Sequence, residues 1–247
     1  MSEGDLSDKA CTRGLPSYWW RAGQEYRLGL VQARVKLSGR RVLDAGCGVG
    51  AWAQALQEAG ARVVGVDVEE ERVADALARA SGAGFVVASV ECLPFGDASF
   101  DVVFSHEVLE HVEDDLQALR EAARVLRPGG HLVLFVPNRG FPFETHGVVW
   151  RGKYRFGNVP LVNWLPDALR DRLAPHVRAY GRRQLAARVA AAGLEVRHHT
   201  QIFPGFDRLE EARPVLGRWL RCAARLLERT PLRALGISHF LVAQKPR

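Results

Sequence analysis

From residue 40 onward, short apolar runs alternate with stretches of helical period, and few folds accept that alternation. "RVLDAG" reads as a strand and "AWAQALQEAG" as a helix stopped at Gly60; "RVVGVD" and "EERVADALARA" repeat the pair. "GFVVAS" and "FDVVFSH" follow as strands, "EDDLQALREAARVL" as a helix ended by "RPGG", and "HLVLFVP" as a fifth strand. Strands joined by crossovers of this length pair in parallel and need helices over both faces. Farther on, "RRQLAARVAAAG" adds a helix, and "LEVRHHT" and "SHFLVAQK" add two strands.

The pattern breaks in two places. After Pro137, "NRGFPFETHGVVWRGKYRFGNVPLVNWLP" is rich in aromatics, Gly and Pro and lacks a helical period, and a loop of that size in a compact domain tends to be functional. Residues 201–237 separate the last two strands and contain "EARPVLGRWLRCAARLLER". There Val215, Leu216, Trp219, Leu220, Ala223, Leu226 and Leu227 form an apolar stripe opposite Arg218, Arg221, Arg225 and Arg229. A lid packed over the site is the preferred expectation, and a helix lying on a membrane surface is the alternative. The organisation expected is one domain: an N-terminal helical cap (1–39), a core (40–138), a substrate loop insertion (139–181), and a closing helix and strand pair (182–247) carrying the 201–237 insertion.

Apolar content of 47% and charged content of 25% suit a chain that buries a substantial core. No apolar run reaches the roughly 18 residues that span a bilayer, and "MSEGDLSDKACTRG" lacks a basic-then-apolar leader pattern, so a cytoplasmic location is expected. Cys11, Cys47, Cys92 and Cys222 show no paired spacing, which suggests neither a zinc site nor a disulfide framework. Residues 1–150 hold 15 Lys+Arg against 21 Asp+Glu, net −6, whereas 151–247 hold 19 against 7, net +12. The basic half suits an acidic substrate, a nucleic acid or an anionic membrane, or it is a set of solvated arginine faces.

"VLDAGCGVGAW" sets Gly46, Gly48 and Gly50 in a strand-to-helix turn, where small residues admit a ligand close to the backbone. Gly46, Gly48 and Ala51 also satisfy a dinucleotide fingerprint. Asp44, two residues before the first glycine, would repel a pyrophosphate and favour a cationic ligand. Asp67, ending "RVVGVD", suits ribose hydroxyls in either case.

These pieces, with "LPFGDASFDVV", "EVLEHV" and "VLRPGGHLVLFVPN", resemble in order and spacing a class I S-adenosylmethionine-dependent methyltransferase over about residues 40–138. "LAARVAAAGLEV" and "SHFLVAQK" are similar to that family's closing helix and hairpin. The resemblance implies a doubly wound, mostly parallel seven-stranded Rossmann-like sheet with an antiparallel last strand. It also implies S-adenosylmethionine as cofactor: Asp44, Gly46, Cys47, Gly48 and Gly50 around the methionine end, Asp67 and Val68 at the ribose and adenine edge, and Val90 giving adenine a backbone contact. Ser89 stands where the family usually has an aspartate, which weakens one adenine contact. Ser105, near the end of the fourth strand, completes the implied set. Trp19, Trp20 and Tyr26 lie in a segment that covers the cofactor in similar proteins, or they pack the core.

In "FSHEVLEHVEDD", a helical register would put Glu107, Glu110 and His111 on one face, which the resemblance places beside the transferable methyl group. His146, from "FPFETHG", is expected at the same place. This oxygen and nitrogen set suits Mg²⁺, Mn²⁺ or Zn²⁺, and a related pattern occurs in ubiquinone-biosynthesis O-methyltransferases and small-RNA terminal 2′-O-methyltransferases, where it is associated with a divalent metal. The plain alternative is glutamates favoured by a helix N-terminus. His146, His106 and His111 are the candidate proton acceptors, and Arg139, Arg151, Lys153 and Arg155 are candidate anion contacts or solvated charges.

The implied activity is methyl transfer to a small-molecule, sugar- or lipid-linked hydroxyl. The alternatives are RNA 2′-O-methylation using the basic half and a cofactor-binding protein without turnover. The expected partner is a small-molecule acceptor, acidic or lipid-linked, with peripheral membrane contact kept open and the oligomeric state unassigned.

Overall fold

The computed structural model describes residues 20–80 and 82–247; Cys11 and Trp19 lie outside them. The main elements are helix α1 (Ala22–Gln32), strand β1 (Arg41–Ala45), α2 (Ala51–Glu58), β2 (Arg62–Asp67), α3 (Glu70–Arg79), β3 (Gly84–Val87), β4 (Phe100–His106), α4 (Asp115–Val125) and β5 (Leu126–Pro137). Beyond the aromatic segment come α5 (Asp167–Leu173), α6 (Arg182–Ala191), β6 (Glu195–Ile202), α7 (Asp207–Ala212), α8 (Pro214–Leu227) and β7 (Ser238–Gln244).

The seven strands form one sheet in the order β6-β7-β5-β4-β1-β2-β3. β1 pairs in parallel with β2 and β4, β2 with β3, and β4 with β5, whereas β7 runs antiparallel to both β5 and β6. The sheet is the doubly wound, mostly parallel one expected from the sequence. Its central strands read as continuous apolar runs because both faces are covered. Leu119, Leu185 and Val189 from α4 and α6 close one face over Leu132, Leu134 and Leu241. Leu28, Val31, Trp52 and Leu56 from α1 and α2 close the other over Val102, Phe104 and Phe240.

The chain builds outward from β1 to β3 and then returns to β4 on the other side of β1. In such a sheet a crevice opens at the carboxyl ends of the strands where the order reverses. The glycine turn after β1 and the "EVLEHV" turn after β4 both lie at that crevice.

Two further segments differ from a plain reading of the sequence. The aromatic stretch is organised by short ladders, Phe143–Glu144 with Val159–Pro160 and Val148–Trp150 with Lys153–Arg155. Helix α8 does not lay its apolar stripe on the core: its buried positions are Gly217 and Ala224, and the stripe faces outward. Among the described residues no helix is long and apolar enough to cross a membrane.

Candidate functional site

At the switch point lies a cavity of about 1200 Å³, walled by the glycine turn, the ends of β2 and β3, the turn after β4 and the loop around His146. The glycine turn is set by backbone bonding: Gly46 and Cys47 both donate to the Val66 carbonyl at 2.8 Å. Gly46 takes φ +84°, and a Cβ there would stand 2.2 Å from the Val108 side chain, so the turn after β1 and the turn after β4 are in contact only because this residue is glycine.

Asp67 closes the turn. Its carboxylate accepts from Gly48 N at 2.9 Å and from Glu69 N at 3.1 Å while lining the cavity. A carboxylate has about four acceptor positions, so two remain for ligand hydroxyls. Val68, Ser89 and Val90 also line the cavity. Asp44 stands behind the turn rather than at the cavity surface: it is 2% exposed and its Oδ2 has no hydrogen-bond partner among the described residues. Burial, and then the charge of Asp67, push its carboxyl up to about 7. Burial likewise pushes the Cys47 thiol up. Ser105, placed by the resemblance at the cofactor, instead faces a small apolar void with Ala45 and Leu134, because strand alternation turns it away from the crevice.

The second wall carries the titratable cluster, and here the helical register fails. Residues 107–114 form a turn, and the helix begins only at Asp115, capped by Asp114, whose side chain accepts from Gln117 N at 3.0 Å. Glu107 adopts a left-handed φ of +56°, which ends any helical continuation from β4; its N–H is held by the Phe135 carbonyl at 2.9 Å. The side chains converge nonetheless. Glu110, His111 and His146 offer ligand atoms all within 4.8 Å of one another. Glu107 Oε2 lies 4.0 Å from His146 Nε2, and Oε1 accepts from Ser238 at 3.1 Å.

Glu110 is 1% exposed, and neither of its oxygens has a hydrogen-bond partner among the described residues. An unpartnered buried carboxylate is costly as an ion, and burial together with the nearby Glu107 charge pushes its pKa well up. Burial, then His146 and His176, drive His111 down to about 3, and its Nδ1 is also unpartnered. His106 stands apart from this cluster: its ring packs tilted against Trp52 at 4.9 Å, and burial, followed by the charge of Arg27, pushes it well below the usual range.

His146 is held by residues that no pattern in the sequence singles out. Glu144 Oε1 accepts from the His146 backbone at 3.0 Å and lies 3.2 Å from ring Nδ1. Its other oxygen accepts from Arg170 at 2.9 Å, with both side chains 3% exposed. Burial raises the Glu144 carboxyl, but the bonds from His146 prevail and hold it below the ordinary range. This bond assigns the proton to Nδ1 and leaves the Nε2 lone pair facing the cluster. Trp52, next to the glycine turn, is the other unanticipated wall residue; Trp20 packs edge-on against it at 4.9 Å. Tyr26 instead bonds Glu228 under the Arg225 guanidinium.

Of the loop cations, Arg139 is committed to Asp167 and to the Leu165 carbonyl. Arg151, Lys153 and Arg155 are exposed and lie outside the cavity wall. Arg72 and Arg178 line it in their place.

Residues 43–134 match a family described as a methyltransferase domain. A ubiquinone biosynthesis O-methyltransferase of Ralstonia nicotianae is 31% identical over 215 residues, covering 81% of this chain and 82% of that protein. A Hahella chejuensis protein of the same name is 36% identical over 149 residues, covering 55% of this chain and 63% of that protein. The first two curated relatives are spanned over 47% and 63% of their lengths. An S-adenosylmethionine-dependent methyltransferase structure from Mesorhizobium loti superposes with a TM-score of 0.60 at 23% identity, covering 88% of this chain and 96% of that one.

Proposed function

The chain belongs to the class I S-adenosylmethionine-dependent methyltransferases, and from that premise we propose that it methylates a hydroxyl oxygen of a small-molecule acceptor, with a divalent cation held beside the reacting oxygen. The observation that carries the reading is Glu110, a buried carboxylate with both oxygens unpartnered, grouped with His111 and His146 in the same cavity as the glycine turn.

The residues present fit the donor. Gly46 lets the turns after β1 and β4 meet, since any side chain would strike Val108, Asp67 has acceptor positions for ribose hydroxyls, and Val68, Ser89 and Val90 form an edge for adenine. Asp44, behind the turn with a buried oxygen lacking a hydrogen-bond partner among the described residues, would supply a counter-charge to the donor's ammonium group when ionised. When bound, S-adenosylmethionine supplies a methyl group on a sulfonium, an electrophile that needs only an aligned nucleophile.

The protein's work is positioning and proton handling. Trp52 walls one side of the cavity, and Trp20 packs edge-on against it. Glu144, braced by Arg170, fixes the proton of His146 on Nδ1, so that Nε2 is the available base or ligand atom. Glu110, His111 and His146, with Glu107 alongside, would hold Mg²⁺, Mn²⁺ or Zn²⁺, whose Lewis acidity favours the alkoxide or phenolate form of the acceptor. The two ubiquinone-biosynthesis relatives carry the name O-methyltransferase, which supports oxygen as the acceptor atom.

The experiment is transfer of labelled methyl to a panel of phenolic, catecholic, sugar and RNA acceptors. Label appearing on a small hydroxyl compound supports the reading, and label confined to RNA contradicts it.

A further inference from the structure

Helix α8 is amphipathic in the reverse of the usual sense. Arg221 and Arg225 face the protein: Arg221 pairs with Glu210 and, at 3.8 Å, Asp207, while Arg225 bonds Glu228 at 2.6 Å and covers the Tyr26 ring at 3.3 Å. Gly217 lets α8 close on α7, since a Cβ there would lie 2.4 Å from Glu210 Cα. Ala224 completes the inward side.

The outward side is apolar. By helical spacing Val215, Leu216, Trp219, Ala223 and Leu226 share one arc, and Trp219 is 73%, Val215 66% and Leu226 63% exposed. The turn that follows, Pro231–Leu235, exposes Leu232 and Leu235 as well. A soluble helix held by ion pairs with its Trp and Leu side in water is the opposite of what core packing selects.

The charges around this face select what covers it. Arg208, Arg213 and Arg229 are exposed and have no carboxylate partner among the described residues, and Arg218 bonds only a carbonyl of its own helix. The acidic residues nearby are engaged in ion pairs, Glu211 with Arg21 at the surface and Glu228 with Arg225. Across 201–237 there are seven arginines and four acidic residues, 7 − 4 = +3. A second copy of the chain would bring one arginine-bordered face against another. An anionic lipid surface meets both requirements, accepting the Trp and Leu side chains among its acyl chains and the arginines among its phosphates. At 14 residues, about 21 Å long, the helix is suited to lying in such an interface and too short to cross it.

We infer that the outward face of α8, bordered by Arg208, Arg213, Arg218 and Arg229, is a docking surface for an anionic membrane. The helix is wired to the cavity wall through α1: Asp207 accepts from Gly23 N at 3.1 Å, Glu228 holds Tyr26, and Trp20, immediately before α1, packs on Trp52. The inference stands apart from the methyl-transfer reading, because it concerns where the protein resides and not what it turns over.

Co-sedimentation of the full chain with phosphatidylcholine vesicles, with and without phosphatidylglycerol, tests it. The full chain should pellet with the anionic vesicles and remain in solution with the neutral ones. The double variant Trp219→Ser/Leu226→Ser should lose about 10²-fold in vesicle affinity, as for removing two large apolar side chains from an interface. Because both positions are solvent-exposed, its melting temperature should match that of the parent, which separates lost docking from lost folding. Arg218→Glu/Arg229→Glu should abolish the preference for anionic vesicles. Absence of vesicle binding by the parent chain, equal binding to both lipids, or concentration-dependent dimerisation that Trp219→Ser removes would each overturn the inference.

Discussion

Glu144 grips His146 twice, accepting from its backbone N–H at 3.0 Å and lying 3.2 Å from ring Nδ1, and so dictates which ring nitrogen faces the cavity. Replacing the carboxylate by an amide of the same shape removes that instruction, because Gln can present its NH₂ group to the ring. Glu144→Gln should therefore lower kcat by about 10- to 100-fold with cofactor affinity unchanged. Arg170 would lose its buried counter-charge, so melting temperature must be measured alongside. Unchanged turnover in a folded variant would show that the ring orientation is set elsewhere.

Chelation separates the two uses of the cluster. With a cation held by Glu110, His111 and His146, exhaustive chelation should abolish methyl transfer, and Mg²⁺, Mn²⁺ or Zn²⁺ should restore it in the parent but not in Glu110→Ala. If chelation has no effect while His146→Ala slows turnover about 10²- to 10⁴-fold, His146 is acting as a metal-free base. An enzyme indifferent to chelator and to both substitutions would reduce the cluster to a structural role.

The sheet was legible in the sequence because its strands are buried on both faces and appear as unbroken apolar runs, as in "RVLDA" and "FDVVF". The turn at Glu107 was not legible. Its left-handed conformation depends on contacts made by β5 and by Ser238 across 131 positions of sequence, and no local pattern encodes them. Glu144 and Arg170 were hidden for the same reason: 26 residues apart in a stretch without period, they carry no signal until the chain folds. For α8 the stripe itself was plain, but periodicity says that a helix has two sides and not which one meets the core. The lid expectation rested on the common case, and here Gly217 and the ion pairs of Arg221 and Arg225 reverse it.

Asp44 gives a dependence of stability on pH. Its folded-state carboxyl, raised to about 7 by burial and then by Asp67, lies above the roughly 3.9 of an unfolded aspartate. The folded state then binds the proton more tightly, so this group's contribution is most favourable below about pH 4 and declines until pH reaches about 7. Asp44→Asn should accordingly be more stable than the parent at pH 8, by roughly 2 to 4 kcal/mol, with the difference closing on acidification. Thermal melts of the cofactor-free proteins across that range check the sign, and a variant less stable at pH 8 would contradict it. The same substitution should weaken binding of the cationic donor.

Calorimetric titration with S-adenosylhomocysteine, S-adenosylmethionine and NAD is the most direct test of what the cavity holds. Both sulfur nucleotides should bind the parent chain, one per cavity. Asp67→Ala should weaken them by roughly 1 to 3 kcal/mol, the loss of a carboxylate that accepts ribose hydroxyls, in a variant whose melting curve shows that it remains folded. NAD should not bind, since a pyrophosphate would have to sit at the turn backed by the Asp44 carboxylate, whose Oδ2 has no hydrogen-bond partner among the described residues. Heat released on adding NAD, with none on adding either sulfur nucleotide, would contradict the assignment of the cavity to S-adenosylmethionine.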